Sequence, residues 1–142
     1  MRTSKIFVTV DCIVFKRLEN DIQILFIKRK NDPFKGKWAL PGGFLDEGED
    51  LPAGAARELN EETGLTIDSL DQLAAFGKPG RDPRQHTISV AFVGFAEANA
   101  VATGADDAEE AQWHSVKALP ELAFDHADIV TMALEKYNIA QH

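Results

Sequence analysis

Between Gly43 and Leu65 the chain holds seven acidic residues and one base, a net charge of −6 over 23 residues. A stretch so charged has to be solvated, paired internally or neutralised by a bound cation. Its middle nevertheless carries the punctuation of a helix. Asp50 is a good N-cap, and Pro52 falls in the first turn, where its missing N–H costs nothing. Gly64 stands at the C′ position. The helix predicted over 51–63 sets Glu58, Glu61 and Glu62 at i, i+3 and i+4, within one arc of about 100°. Leu51, Ala55 and Leu59 take another side, which suits packing against a sheet.

Three carboxylates at that spacing repel one another and gain nothing locally. Such a face is either a solvated acidic surface or a site for a hard divalent cation, which a few carboxylates hold together with waters and phosphate oxygens. Gly54, one turn before Glu58 on the same face, leaves room for a ligand on this reading. Arg57, four residues before Glu61, can reach back to Glu49, which makes it structural.

The residues around the helix favour the cation. Gly43, Glu49, Arg57, Glu58, Glu61, Glu62 and Gly64 stand at the seven fixed positions of the Nudix hydrolase signature, with Leu59 and Leu65 at its apolar ones. At residue frequencies of roughly 6%, seven such matches arise by chance on the order of once in 10⁸–10⁹ windows. The chain therefore resembles the Nudix family. The resemblance implies an α/β (α+β) fold, an α/β/α sandwich with a mixed central sheet between helices. It implies one domain over residues 1–142, with the signature at 43–65. By the same resemblance Glu58 and Glu62 are the main metal ligands, Glu61 assists, the Gly43 carbonyl joins them, and Arg57 orients the cluster through Glu49. The metal implied is Mg²⁺, with Mn²⁺ as an alternative. The reaction implied is attack of water on a nucleoside diphosphate linked to another group, in which the cation neutralises the anhydride oxygens.

The rest of the chain is compatible with that fold. Strands are predicted over 6–15, 22–27, 70–76, 87–95 and 112–116. Trp38-Ala39-Leu40 is a short apolar run stopped by Pro41-Gly42-Gly43, which does not continue a strand easily. A second helix is predicted over 124–137, with Ile129, Met132, Ala133 and Leu134 toward the core. A net charge of −8 makes the chain a poor candidate for nucleic acid. The single cysteine, Cys12, excludes a disulfide framework and reads as a small buried hydrophobe. No apolar run reaches ~18 residues, so no membrane span is expected, and the N-terminus lacks a signal-peptide core, which reads as cytoplasmic.

The substrate is sought in the loops. Residues 77–84, with Pro79 about fifteen positions beyond the signature, and Leu122-Ala123-Phe124-Asp125-His126-Ala127 resemble the ADP-ribose pyrophosphatase subgroup. A nucleoside diphosphate sugar is thus the implied substrate, and a homodimer is expected from the same resemblance. Arg29, Arg81 and Arg84 are candidate phosphate or ribose contacts, and Arg suits bidentate phosphate binding. Trp38 and Phe124 either stack on a base or pack at the rim of the core. His126 reads as a hydrogen-bonding residue at the helix start rather than a ligand. The catalytic base is Glu61 on the helix or Glu110 in the acidic loop 106–110. The alternatives are cleansing of a nucleoside triphosphate such as 8-oxo-dGTP, and a sensor that binds ADP-ribose without cleaving it.

Overall fold

The computed structural model describes residues 5–104 and 108–141. Seven strands form one mixed sheet: β1 (Phe7–Arg17), β2 (Ile22–Arg29), β3 (Trp38–Ala39), β4 (Gly42–Phe44), β5 (Asp71–Phe76), β6 (Thr87–Ala96) and β7 (Ala108–Ser115). Helix α1 (Leu51–Thr63) follows β4, and α2 (His126–Lys136) follows β7. The central strand β1 runs parallel to β6 along its length, with Phe7 opposite Thr87 and Lys16 opposite Ala96.

β1 alternates between two apolar faces, as a strand covered on both sides must. Val10, Cys12 and Val14 pack with Ala55 and Leu59 of α1. Ile13 and Phe15 pack on the opposite face with Ile129, Val130, Ala133 and Leu134 of α2. The sheet thus lies between the two helices, as the sequence implies. Cys12 is buried and free. Met132, expected in the core, is 40% exposed, and Val130 takes the inward position instead. No helix is long and apolar enough to cross a membrane.

The feature that creates the site is a splay between β1 and β2. The two strands pair antiparallel only at Phe15–Ile24, Lys16–Gln23 and Arg17–Ile22. Beyond that they diverge, and each takes a new partner. β2 pairs with β3 at Ile27–Ala39, and β1 pairs with β4 at Thr9–Phe44, Val10–Gly43 and Asp11–Gly42. The Pro41 carbonyl accepts from the Cys12 N–H at 2.8 Å, closing the seam between them. Pro41-Gly42-Gly43 therefore does not end the strand structure. Glycine is required at 42 because an added Cβ would collide with the Val10 carbonyl and the Asp11 carboxylate.

The helix signals act as read. The Asp50 side chain accepts from the Leu51 N–H, and Gly64 adopts φ 77° while its N–H bonds the Asn60 carbonyl. The last strand starts earlier than its sequence suggests, at Ala108, because it pairs with β2 from Gln23–Ser115 to Lys28–Glu110 and on to Arg29–Ala108. An opposite-charge cross-strand pair favours that extension. Residues 106 and 107 of the predicted acidic loop lie outside the described residues.

Candidate active site

A cleft of about 380 Å³ opens where β1 and β2 part, within the range typical of small-molecule sites. One wall is acidic, with Asp46, Glu58 and Glu62, and the other basic, with Arg29, Arg81 and Arg84. Gly43 and Phe44 of β4 line one side, and Phe124 the entrance to α2.

The acidic wall is organised by Arg57. Its Nε and Nη2 donate to Glu49 at 2.7 and 2.9 Å, a two-point grip that spans the loop before α1. Its Nη1 donates to Glu58 at 2.7 Å and to Glu61 at 3.2 Å, and its Nη2 also reaches the Phe44 carbonyl. One guanidinium thus binds the loop, the helix and β4 together, which a lysine could not do. The hydrogen bonds from Arg57 hold Glu49 at a pKa of about 2, and Glu49 in turn holds Arg57 above its usual value. Glu58 moves the other way. Burial raises its pKa, and the nearby Glu61 and Asp46 add to the rise that Arg57 opposes.

Glu62 is 6% exposed and its Oε1 accepts from the Gly42 N–H at 2.7 Å. An ideal Cβ on Gly43 would lie 2.5 Å from Glu58 Oε2, so β4 and α1 approach each other with a carboxylate in between. We expect Gly43→Ala to push Glu58 aside and lower turnover by about 10–100-fold, since small displacements at a reacting centre cost this much. An unchanged rate in a steady-state assay would remove Gly43 and Glu58 from the site. Gly54 serves a different purpose from the one expected. A Cβ there would stand 2.6 Å from Leu45 and 2.9 Å from Glu49, so the glycine admits the loop rather than a ligand.

Among the described residues no three His, Cys, Asp or Glu side chains converge into a ready-made metal cluster. The donor set nevertheless fits a hard divalent cation. Glu58 and Glu62 are oxygen donors one helical turn apart, Gly43 brings a strand backbone against Glu58, and burial of Glu58 among like charges makes a neutralising cation favourable.

The basic wall is firmly anchored. The side chain of Arg81 is 4% exposed and grips Asp125 through Nε and Nη2 at 2.9 and 2.6 Å. Its Nη1 reaches the Thr87 carbonyl at 3.4 Å, so Arg81 ties the loop 77–86 to the start of α2 and has little left to offer a phosphate. Arg84 donates through Nε and Nη2 to Asp82 at 3.1 and 2.8 Å, with its guanidinium over Phe44 and Phe124. Burial of Asp82 opposes its charge, but the bonds from Arg84 outweigh this and leave its pKa lowered. Arg29 bonds the Pro33 carbonyl and lies 5.0 Å from the Phe124 ring centroid. Phe124 itself has φ 53°, a conformation costly for a bulky residue, and its ring centroid is 4.7 Å from that of Phe34, which has φ 64°.

Four expected site residues stand outside the cleft lining, Arg57 behind the acidic wall and three others. Trp38 packs against the α2-side core, edge-on to His114 at 4.7 Å between ring centroids. Glu110 is on a strand rather than a loop, and pairs with Lys28 across the sheet at 3.8 Å. Glu61 is held by Arg57, its side chain 45% exposed. Conversely, Asp11 and Asp82 line the cleft although neither was singled out in the sequence. Asp11 had left a signal, a lone acid amid the apolar residues of β1.

The NUDIX domain profile matches residues 5–133. The ADP-ribose pyrophosphatase of Methanocaldococcus jannaschii is 46% identical over 87% of this chain and 70% of its own length. The ADPR responsive transcriptional repressor NtrR of Acinetobacter baylyi is 37% identical over 92% of this chain, which spans 54% of the repressor. Among solved structures, the NUDIX domain of Shewanella oneidensis NrtR complexed with ADP ribose superposes with a TM-score of 0.89 at 29% identity, covering 95% of this chain and 90% of that one. Profile, sequence and fold agree, and the chain belongs to the Nudix family.

Proposed function

We propose that this Nudix hydrolase cleaves the pyrophosphate of ADP-ribose to AMP and ribose 5-phosphate with Mg²⁺, or Mn²⁺ in its place. The observation that supports it most is the bipolar cleft, whose acidic wall suits a cation and whose basic wall suits an anhydride. The 46% identity to an ADP-ribose pyrophosphatase supports the choice of sugar nucleotide. Glu58, Glu62 and the Gly43 carbonyl would hold the metal, with Glu61 beside them. When bound, the cation supplies charge neutralisation at the phosphates and a more acidic water. Arg57 keeps the carboxylates in place, and Arg84 and Arg29 face the anhydride. Phe124 offers a face to the base, while Arg81 holds the loop that carries Arg84. Of the two candidates for the base we take Glu61, because it stands on α1 within one turn of Glu58 and Glu62, whereas Glu110 stands on β7.

The test is a panel of ADP-ribose and 8-oxo-dGTP with Mg²⁺, products separated by chromatography. AMP and ribose 5-phosphate released preferentially from ADP-ribose support the proposal. A monophosphate and pyrophosphate released preferentially from the triphosphate sink it. Binding should also show in stability. Mg²⁺ at 10–100 times its dissociation constant should add about 1.4–2.7 kcal/mol, a rise of a few degrees in melting temperature. No rise at any Mg²⁺ concentration would count against the metal site.

A second reading has its own support. The similarity to NtrR and to the ADP-ribose-bound NrtR domain favours a sensor that binds ADP-ribose and signals to a partner. Tight ADP-ribose binding with negligible turnover in the same panel would select it.

A further inference from the structure

Between the acidic and basic walls the cleft has a polar floor. Asp11 of β1 and His126 of α2 both line the cleft and are 6% and 5% exposed, while Ser89 of β6 lies buried behind them. The Ser89 hydroxyl donates a short hydrogen bond to Asp11 Oδ2 and fixes the carboxylate plane. The Leu40 N–H donates to His126 Nδ1 at 3.0 Å, so the neutral ring carries its proton on Nε2. Burial lowers the pKa of His126 and keeps the ring in that form.

His126 Nε2 then faces Asp11 Oδ1 across 3.8 Å, too far for a hydrogen bond between them. Gly42 packs close to that oxygen, where a Cβ would stand 2.4 Å from it. A donor and an acceptor held at this separation suit a group that both accepts and donates, as a hydroxyl does when it accepts from Nε2–H and donates to Oδ1. A phosphate oxygen has no proton to give the carboxylate and adds a like charge. A methylene would leave both groups unpaired.

We propose that Asp11, held by Ser89 and faced by His126, accepts a hydrogen bond from a hydroxyl of the substrate's sugar, and so makes the cleft select a sugar over a further phosphate. The inference rests on the sugar-nucleotide reading above and names the residue that enforces it. It also explains why an acid sits in the floor of a cleft built for an anion.

The test compares ADP-ribose with ATP, in which a phosphate replaces the second sugar, using the full chain with Mg²⁺. Discrimination is the ratio of the two kcat/KM values, or of KM to the inhibition constant where ATP binds uncleaved. Asp11→Asn keeps the shape and is expected to reduce discrimination for ADP-ribose by about 10–100-fold, the usual range for a hydrogen bond to a charged group. Ser89→Ala keeps the charge but frees the carboxylate, and should shift the ratio the same way by about fivefold. It serves as the check should Asp11→Asn fail to fold. A ratio unchanged in a folded variant, or equal losses on both ligands, would overturn the proposal. A wild-type chain inert toward ADP-ribose would instead overturn the substrate reading, and this inference with it.

Discussion

Glu62→Gln is expected to lower kcat by about 10³-fold or more while leaving the melting temperature nearly unchanged. The two halves of that expectation come from the two things the side chain does. Its Oε1 accepts from the Gly42 N–H, and the amide oxygen of glutamine can accept the same bond, so the contact between α1 and β4 survives. What glutamine lacks is the negative charge. A neutral ligand in place of an anion weakens the hold on a hard cation, and Lewis-acid stabilisation is worth several kcal/mol of barrier, with each 1.4 kcal/mol a factor of ten. Near-normal turnover in a folded variant would remove Glu62 from the metal site. A variant that also unfolds would show that the residue's main task is the strand contact. Circular dichroism melts alongside the rate assay distinguish these results.

Arg57→Ala is expected to lower turnover by about 10²-fold, and Arg57→Lys to recover little of it. Alanine releases Glu49, Glu58 and Glu61 at once and leaves three carboxylates with no cation between them. Lysine restores a charge but not the fork that reaches Glu49 with two nitrogens and Glu58 with a third. The same substitution has a signature in acid. Glu49 has a folded pKa of about 2 against an ordinary 4.5, so its pairing with Arg57 stabilises the fold above about pH 4.5. That contribution is lost as pH falls through about 2. The wild type should therefore lose stability between those values along a limb that is shallower in Arg57→Ala, where only the bond from the Asp46 N–H remains, and the two stability curves should converge toward pH 2. Parallel curves across the window would show that Arg57 does not hold Glu49 in solution.

The parts of this molecule legible in the sequence are those governed by local rules. Asp50, Pro52 and Gly64 mark the ends of α1 through capping and a left-handed residue, and α1 lies within their bounds. Arg57 reaches Glu49 because both positions are fixed by one helix and the short loop before it. What was not legible depends on partners distant in sequence. Pro41-Gly42-Gly43 reads as a breaker until β1, deserted by β2, needs another partner at Val10 and Asp11. Glu110 reads as a loop acid until Lys28 is seen opposite it. Arg81 reads as a phosphate ligand, but Asp125, 44 residues on, already occupies its guanidinium. Trp38 reads as either a stacking residue or a core residue, and only the position of His114 places it with the core.

The site as a whole is likewise a product of the splay between β1 and β2. It brings Asp11 of the first strand, Gly43 of the fourth, the α1 carboxylates and Phe124 before α2 around one cleft. Most of these contacts join distant segments, so the acidic signature alone could locate a cation but not the wall opposite it.

The most direct measurement is the position of manganese in crystals grown with MnCl₂, read from anomalous diffraction at the manganese edge. The expected result is a peak within coordination distance of the Glu58 and Glu62 carboxylates and the Gly43 carbonyl, lost in Glu62→Gln. A peak elsewhere on the chain, or none in crystals of protein that turns over ADP-ribose with Mn²⁺, would contradict the assignment of the acidic wall to the metal.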